Sequence, residues 1–142
     1  MIIVFWILLG LVGAISFLAL AQIRPKPDSQ ILAIGLVVTA FIYIGFAIGG
    51  GASQLWIIIE VAGFGIYSLF ALLGLRYSNW WLMLGWMAHP LWDIGLHLVN
   101  QGAVFTPDWY AIACVSFDLV VAIYILFWKC LLFTKPINTN SQ

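Results

Sequence analysis

Five stretches of about twenty mostly apolar residues follow one another with short connections between them: 2–21, 30–49, 54–75, 79–99 and 108–133. A helix rises 1.5 Å per residue, so about 20 such residues cross a bilayer core of ~30 Å. In hydrocarbon the backbone must satisfy its own N–H and C=O groups, which a helix does within one segment. The pattern therefore predicts an all-α polytopic transmembrane bundle of five spans, one domain over 1–136 with a polar tail over 137–142. Only 7% of the 142 residues are charged, against about a quarter in soluble domains. Formal net charge is zero, so nothing here has the basic footprint of a nucleic-acid binder.

The connections carry the residues that stop helices. Two prolines in Arg24-Pro25-Lys26-Pro27-Asp28-Ser29 each remove a donor and fix φ. Gly49-Gly50-Gly51 ends the second span, Arg76-Tyr77-Ser78-Asn79 links the third to the fourth, and the fourth link runs from Asn100 to Pro107. Ala19-Leu20-Ala21 looks like a signal-peptide cleavage site. No Lys or Arg precedes the first apolar run, however, and Arg24 and Lys26 follow it at once, so the segment reads as a span.

All five basic residues fall in alternate connections: Arg24 and Lys26, then Arg76, then Lys129 and Lys135. The positive-inside rule places that side in the cytoplasm, with the N-terminus outside and the C-terminus inside, in the plasma (inner) membrane. The alternation agrees with an odd number of spans.

The fourth span holds both histidines of the chain within Trp80–His97. His89, Asp93 and His97 are spaced i, i+4, i+8, which places them within about 80° of arc on one helix. With the orientation above, Glu60 lies ~9 Å into the third span and Asp93 ~9 Å inside the end of the fourth. His89 and Asp118 lie ~15 Å deep, and His97 is near the outer end. The acids of three spans thus reach the outer half, with no Lys or Arg beside them. An ionisable group in hydrocarbon is costly and normally faces a bundle interior with a partner. The expectation is that Glu60 and Asp118 face the His89–Asp93–His97 side of the fourth helix. Pro90 removes one helical hydrogen bond there and is expected to kink the helix.

Structural readings stand beside this. Asp93 between two histidines is a self-satisfying ladder if i,i+4 groups pair. Glu60 or Asp118 alone, if protonated, is interhelical glue. Trp6, Trp80, Trp81, Trp109 and Trp128 read as interfacial anchors, whereas Trp86, Trp92 and Tyr43 lie deep enough to wall a ligand pocket. Gly45-Phe46-Ala47-Ile48-Gly49 has the form of a packing motif. Cys114 and Cys130 are 16 residues apart on one helix, roughly 24 Å, too far to bridge. Cys114 reads as a small buried residue rather than a ligand.

His89-Pro90-Leu91-Trp92-Asp93, then His97, Pro107, Cys114 and Asp118, resembles an uncharacterised family of small multi-pass bacterial membrane proteins. Its members carry an H-x-x-W-D-x-x-H-H type motif followed by a proline and a C-x-x-D pair. The resemblance covers about the last 60 residues. The present chain has one histidine after Asp93 and a C-x-x-x-D spacing. The resemblance implies a site and no particular chemistry.

Two chemistries suit the residues. Close carboxylates in a low dielectric cannot all ionise, and one beside a histidine can exchange protons. His89, Asp93, Glu60, Asp118 and His97 are then the catalytic candidates, acting on a lipid-like substrate. The same five residues are alternative ligands for Zn²⁺ or Fe²⁺. Because His89 and His97 stand ~12 Å apart along the axis, one ion takes Asp93 and a single histidine, completed by Glu60 or Asp118. Other functions left open are a pigment-, haem- or quinone-binding or assembly subunit, and a small proton-coupled transporter. Five spans form no inverted repeat, so a transporter would need a homo-oligomer. Membrane lipid and a lipid-like small molecule are the expected partners.

Overall fold

A computed structural model of the chain describes residues 1–23, 28–100 and 102–131. The described residues form helices joined by short turns: α1 (Ile2–Ile23), α2 (Asp28–Gly49), α3 (Gln54–Arg76), α4 (Asn79–Leu98), the single turn α5 (Gly102–Phe105) and α6 (Asp108–Tyr124). The last helix continues as a π-helical stretch over Ile125–Leu131. Four helices are long and apolar enough to cross a membrane: α1, α2, α3 and Asp108–Leu131. The 20 residues of α4 are diluted by His89, Pro90, Asp93 and His97, and α4 is not among those four. The expected tail over 137–142, with Arg24, Lys26 and Lys135, lies outside the described residues.

Local signals explain the boundaries. Ser78 caps α4 by accepting the Trp80 backbone N–H, which satisfies one of the donors a helix start leaves free. Pro107 precedes α6 in extended conformation with Asp108 in the first turn, where a carboxylate complements the helix dipole. Gly51, at φ 73°, takes the left-handed turn that closes α2, a conformation costly for other residues. Asn100 does the same after α4 at φ 57°. The helix α4 runs through Pro90 to Leu98 without a break.

The surface is apolar and the interior holds the polar groups. Large hydrophobic residues such as Ile2, Ile15, Phe41, Ile58, Leu72, Leu91 and Leu98 are exposed, while Glu60, His89, Asp93, Thr106 and Asp118 are buried. That inversion is what a bilayer selects, since lipid solvates apolar side chains and not ionisable ones.

Helix order in space departs from order in the chain. α1 packs mainly on α6, α6 on α4, α4 on α3 and α3 on α2, with few contacts between α1 and α2. Gly10 permits the closest of these approaches. A Cβ there would overlap Ser116 Oγ and the Ala113 carbonyl, and Ser116 Oγ donates to the Ile7 carbonyl across the same seam, 3.2 Å. α4 is central, touching α2, α3, α6 and the π-helical stretch. At one end of the bundle Lys129 Nζ meets Asp28 Oδ1 at 2.6 Å and Ser29 Oγ donates to Asn79 Oδ1 at 3.2 Å. At the other, Trp6 stacks obliquely on Trp109 at 5.6 Å and His97 Nε2 lies 3.6 Å from Asp108 Oδ1.

Among the described residues nothing packs on the Gly45–Gly49 pattern, because a Cβ at either position would meet nothing within 4 Å. Gly45→Ala is therefore expected to move stability by less than about 1 kcal/mol, on the stabilising side, through helix propensity alone. A thermal melt in detergent checks this; a loss above ~1 kcal/mol would mean that another chain covers this face.

Candidate functional site

The centre of the site is His89, 1% exposed. Its Nδ1 lies 2.8 Å from Asp118 Oδ2, so the Nδ1–H donates to the carboxylate and the contact selects that tautomer. α4 presents His89 toward α6, and Asp118 sits ten residues into α6, so neither helix alone makes the pair. Asp93, one turn along α4, brings its Oδ2 to 3.6 Å from the same Nδ1. Cys114, one turn before Asp118, places Sγ 3.6 Å from Asp118 Oδ2 and 3.9 Å from His89 Nδ1. Ligating atoms of His89, Asp93, Cys114 and Asp118 all lie within 4.8 Å of one another, and all four residues are buried.

Two tyrosines wall the cluster. Tyr43 of α2 and Tyr67 of α3 stand edge-on to the His89 ring at 5.5 and 5.0 Å. Tyr67 donates its hydroxyl to the Ala88 carbonyl, 3.3 Å, which fixes α3 against α4. The hydrogen bonds do not exhaust the polar atoms. Both Asp93 carboxylate oxygens, Asp118 Oδ1 and Tyr43 Oη are buried without a hydrogen-bond partner. Leaving such atoms unpaired costs ~1–3 kcal/mol each, more for charged groups, so a proton, a water or a polar ligand among them would be stabilising.

Glu60 and His97 do not join the cluster. Glu60 is buried at 3% exposure, but its carboxyl is turned toward the Trp92 indole, and its Oε1 finds no hydrogen-bond partner. His97 donates Nδ1–H back to the Asp93 backbone carbonyl at 3.0 Å, and its ring is directed toward the exposed Asp108. The physical reason is helical drift. Eight residues carry His97 ~12 Å along the axis and 80° around it from His89. Trp86 spends its indole N–H on the Leu32 carbonyl, 3.2 Å, and is wedged between Phe17 and Phe117 in the core. Trp92 packs on Tyr67 and on Gly63, where a Cβ on the glycine would crowd the indole.

Cys114 enters the cluster against the sequence expectation. Its i,i+4 spacing to Asp118 is the signal that could have placed it, since those two share a helix face as surely as His89 and Asp93 do. The described basic residues stay away: Lys129 pairs with Asp28, and Arg76 ends α3.

A groove of about 600 Å³ lies between α1, α4 and α6, with Asp93 and His97 among walls of Ile7, Ile112, Val115 and Leu119. Its rim residues Ile94, Leu98 and Leu119 are exposed, so the groove opens sideways, toward the surface that the apolar residues form.

Compared with known sequences, residues 3–130 match the model of a family of unknown function. No curated protein and no solved structure matches the chain.

Proposed function

The chain belongs to this family, DUF6010, and from that premise we propose that it is a five-span enzyme of the plasma membrane acting on a lipid-like substrate by acid–base or metal-assisted chemistry. The observation that carries the reading is Asp93, a buried acid whose oxygens have no hydrogen-bond partner and which borders both the His89–Asp118 pair and the apolar groove. A substrate with an apolar tail enters the groove sideways and meets Asp93. His89, held by Asp118, supplies the second group for proton exchange. The apolar walls exclude water, which strengthens charge interactions within the site.

Five spans rest on end-to-end geometry. α4 begins beside the start of α2, where Asn79 meets Ser29, and ends beside the start of α6, where His97 meets Asp108. It therefore travels the full length of the bundle although it is the least apolar of the long helices. Of the polar groups that lower its hydropathy, His89 and Asp93 are buried and His97 is partly exposed at the end of the helix. With the positive-inside rule this geometry supports a cluster in the outer half. Alkaline phosphatase fused after Phe105 is expected to be active and after Arg76 inactive; the reverse pattern sinks the orientation.

The test of function uses purified protein in vesicles made from a polar lipid extract of the expression host, with products followed by mass spectrometry. The wild type is expected to convert at least one lipid species. His89→Ala and Asp93→Asn should lose more than ~100-fold of that rate, the scale of one acid–base group, whereas His97→Ala should stay within about threefold. An unchanged lipid profile together with a visible chromophore in the purified protein would defeat the enzyme reading in favour of a pigment- or haem-binding subunit.

A further inference from the structure

We propose that His89, Asp93, Cys114 and Asp118 together bind one divalent ion of the Zn²⁺ class. The inference deepens the reading above by naming what the cluster holds, and rests on it only for the consequence in catalysis. The binding argument stands on donor geometry.

Bonds of ~2.0–2.3 Å to N, O and S in a tetrahedral arrangement put neighbouring donors roughly 3.3–3.8 Å apart. Two of the separations in the cluster are of that size, His89 Nδ1 to Asp93 Oδ2 and Cys114 Sγ to Asp118 Oδ2, both at 3.6 Å, and Cys114 Sγ to His89 Nδ1 is slightly longer at 3.9 Å. All four donors lie within 4.8 Å of one another, and His89 Nδ1 to Asp118 Oδ2 is shorter, 2.8 Å, a hydrogen-bond distance. There a proton occupies the place that an ion would take. Releasing that proton lets the two atoms part by about half an ångström, or lets Asp118 present Oδ1, which has no partner. Both Asp93 oxygens are likewise unpartnered at 1% exposure. These buried carboxylate oxygens without hydrogen-bond partners are the independent observation that points to a cation.

Charge and donor type select the ion. Ionised as ligands, the thiol and the two carboxyls would need a compensating positive charge, and no described Lys or Arg reaches them. One imidazole nitrogen, one sulfur and two oxygens form a mixed set of borderline softness. It suits Zn²⁺, or Co²⁺ as its spectroscopic substitute, and is poor for Mg²⁺ and Ca²⁺, which take all-oxygen shells. Binding releases the Nδ1 proton and any proton on the thiol or the carboxyls. Asp93 is the ligand that also borders the groove, so it is the side from which a substrate oxygen would approach the ion.

The experiment is metal analysis of the full chain, purified in mild detergent, stripped with chelator and reloaded with Zn²⁺ or Co²⁺ alone. The expected result is about one equivalent of Zn²⁺ that survives desalting, unaffected by excess Mg²⁺. With Co²⁺ a thiolate charge-transfer band should appear in the near ultraviolet. Cys114→Ser should abolish the band and weaken Zn²⁺ binding at least tenfold, while Cys130→Ser leaves both intact. His89→Gln should reduce bound Zn²⁺ below a tenth of an equivalent. Size-exclusion profile and helical circular dichroism of each variant exclude unfolding as the cause. Less than a tenth of an equivalent in the folded wild type, or a band indifferent to Cys114→Ser, overturns the proposal. Lipid conversion by chelated protein would remove the metal and keep the enzyme, whereas bound metal without lipid conversion would do the opposite.

Discussion

Asp118→Ala is expected to lower the unfolding free energy of the metal-free protein by about 3–5 kcal/mol, the cost of removing one partner of a buried charged pair. The substitution leaves His89 Nδ1–H without its 2.8 Å acceptor at a site 1% exposed, and removes the oxygen 3.6 Å from Cys114 Sγ. Neutral interhelical hydrogen bonds in membranes average only about 0.6 kcal/mol and reach ~1.7. The predicted loss exceeds that ceiling because the acceptor removed is a carboxylate, which makes the hydrogen bond charge-assisted, and it leaves a buried donor without a partner. His89→Leu combined with Asp118→Leu should cost less than the sum of the single changes, since both polar groups then leave together. Denaturant unfolding in a mixed detergent, after chelation, measures all three. A loss below ~1.7 kcal/mol for Asp118→Ala would show that the contact is an ordinary neutral hydrogen bond and not an ion pair.

Gly10→Ala is expected to be the most damaging single methyl in the chain, at about 3 kcal/mol or more. The added carbon would overlap Ser116 Oγ and the carbonyl oxygen of Ala113. A serine hydroxyl can rotate away, but the backbone carbonyl of α6 cannot, so α1 must lift from α6 along the whole seam. Overpacking of this kind usually costs 1–3 kcal/mol, and a rigid helix spreads the displacement to Ile7 and Ala14, which sit on the same interface or in the core. The groove that contains Asp93 is bounded by Ile7 of α1, so its width should change as well. Gly10→Ala with the melting temperature of the wild type would mean that α1 is not seated on α6 as described.

The helices were legible in the amino-acid sequence because hydrocarbon imposes one local rule, internal backbone hydrogen bonding over about twenty apolar residues, which needs no knowledge of neighbours. Gly49-Gly50-Gly51, Pro107 and the polar link after Arg76 marked the ends for equally local reasons. Helical periodicity also put Asp93 one turn from His89, and equal depth made Asp118 their natural partner. Periodicity fixes the direction of a side chain around its own axis. It says nothing about which helix stands opposite. That choice, made by close approaches such as Gly10 on α6 and by the central position of α4, joined Asp118 to His89 and carried Cys114 in with it. It also turned Glu60 toward Trp92 and left His97 beside Asp108 at the bundle end. The sequence by itself determined where the helices run and which residues share a side of each helix. Only the packing of one helix on another decided which of them meet, because a contact between helices is set by the shapes of two surfaces at once.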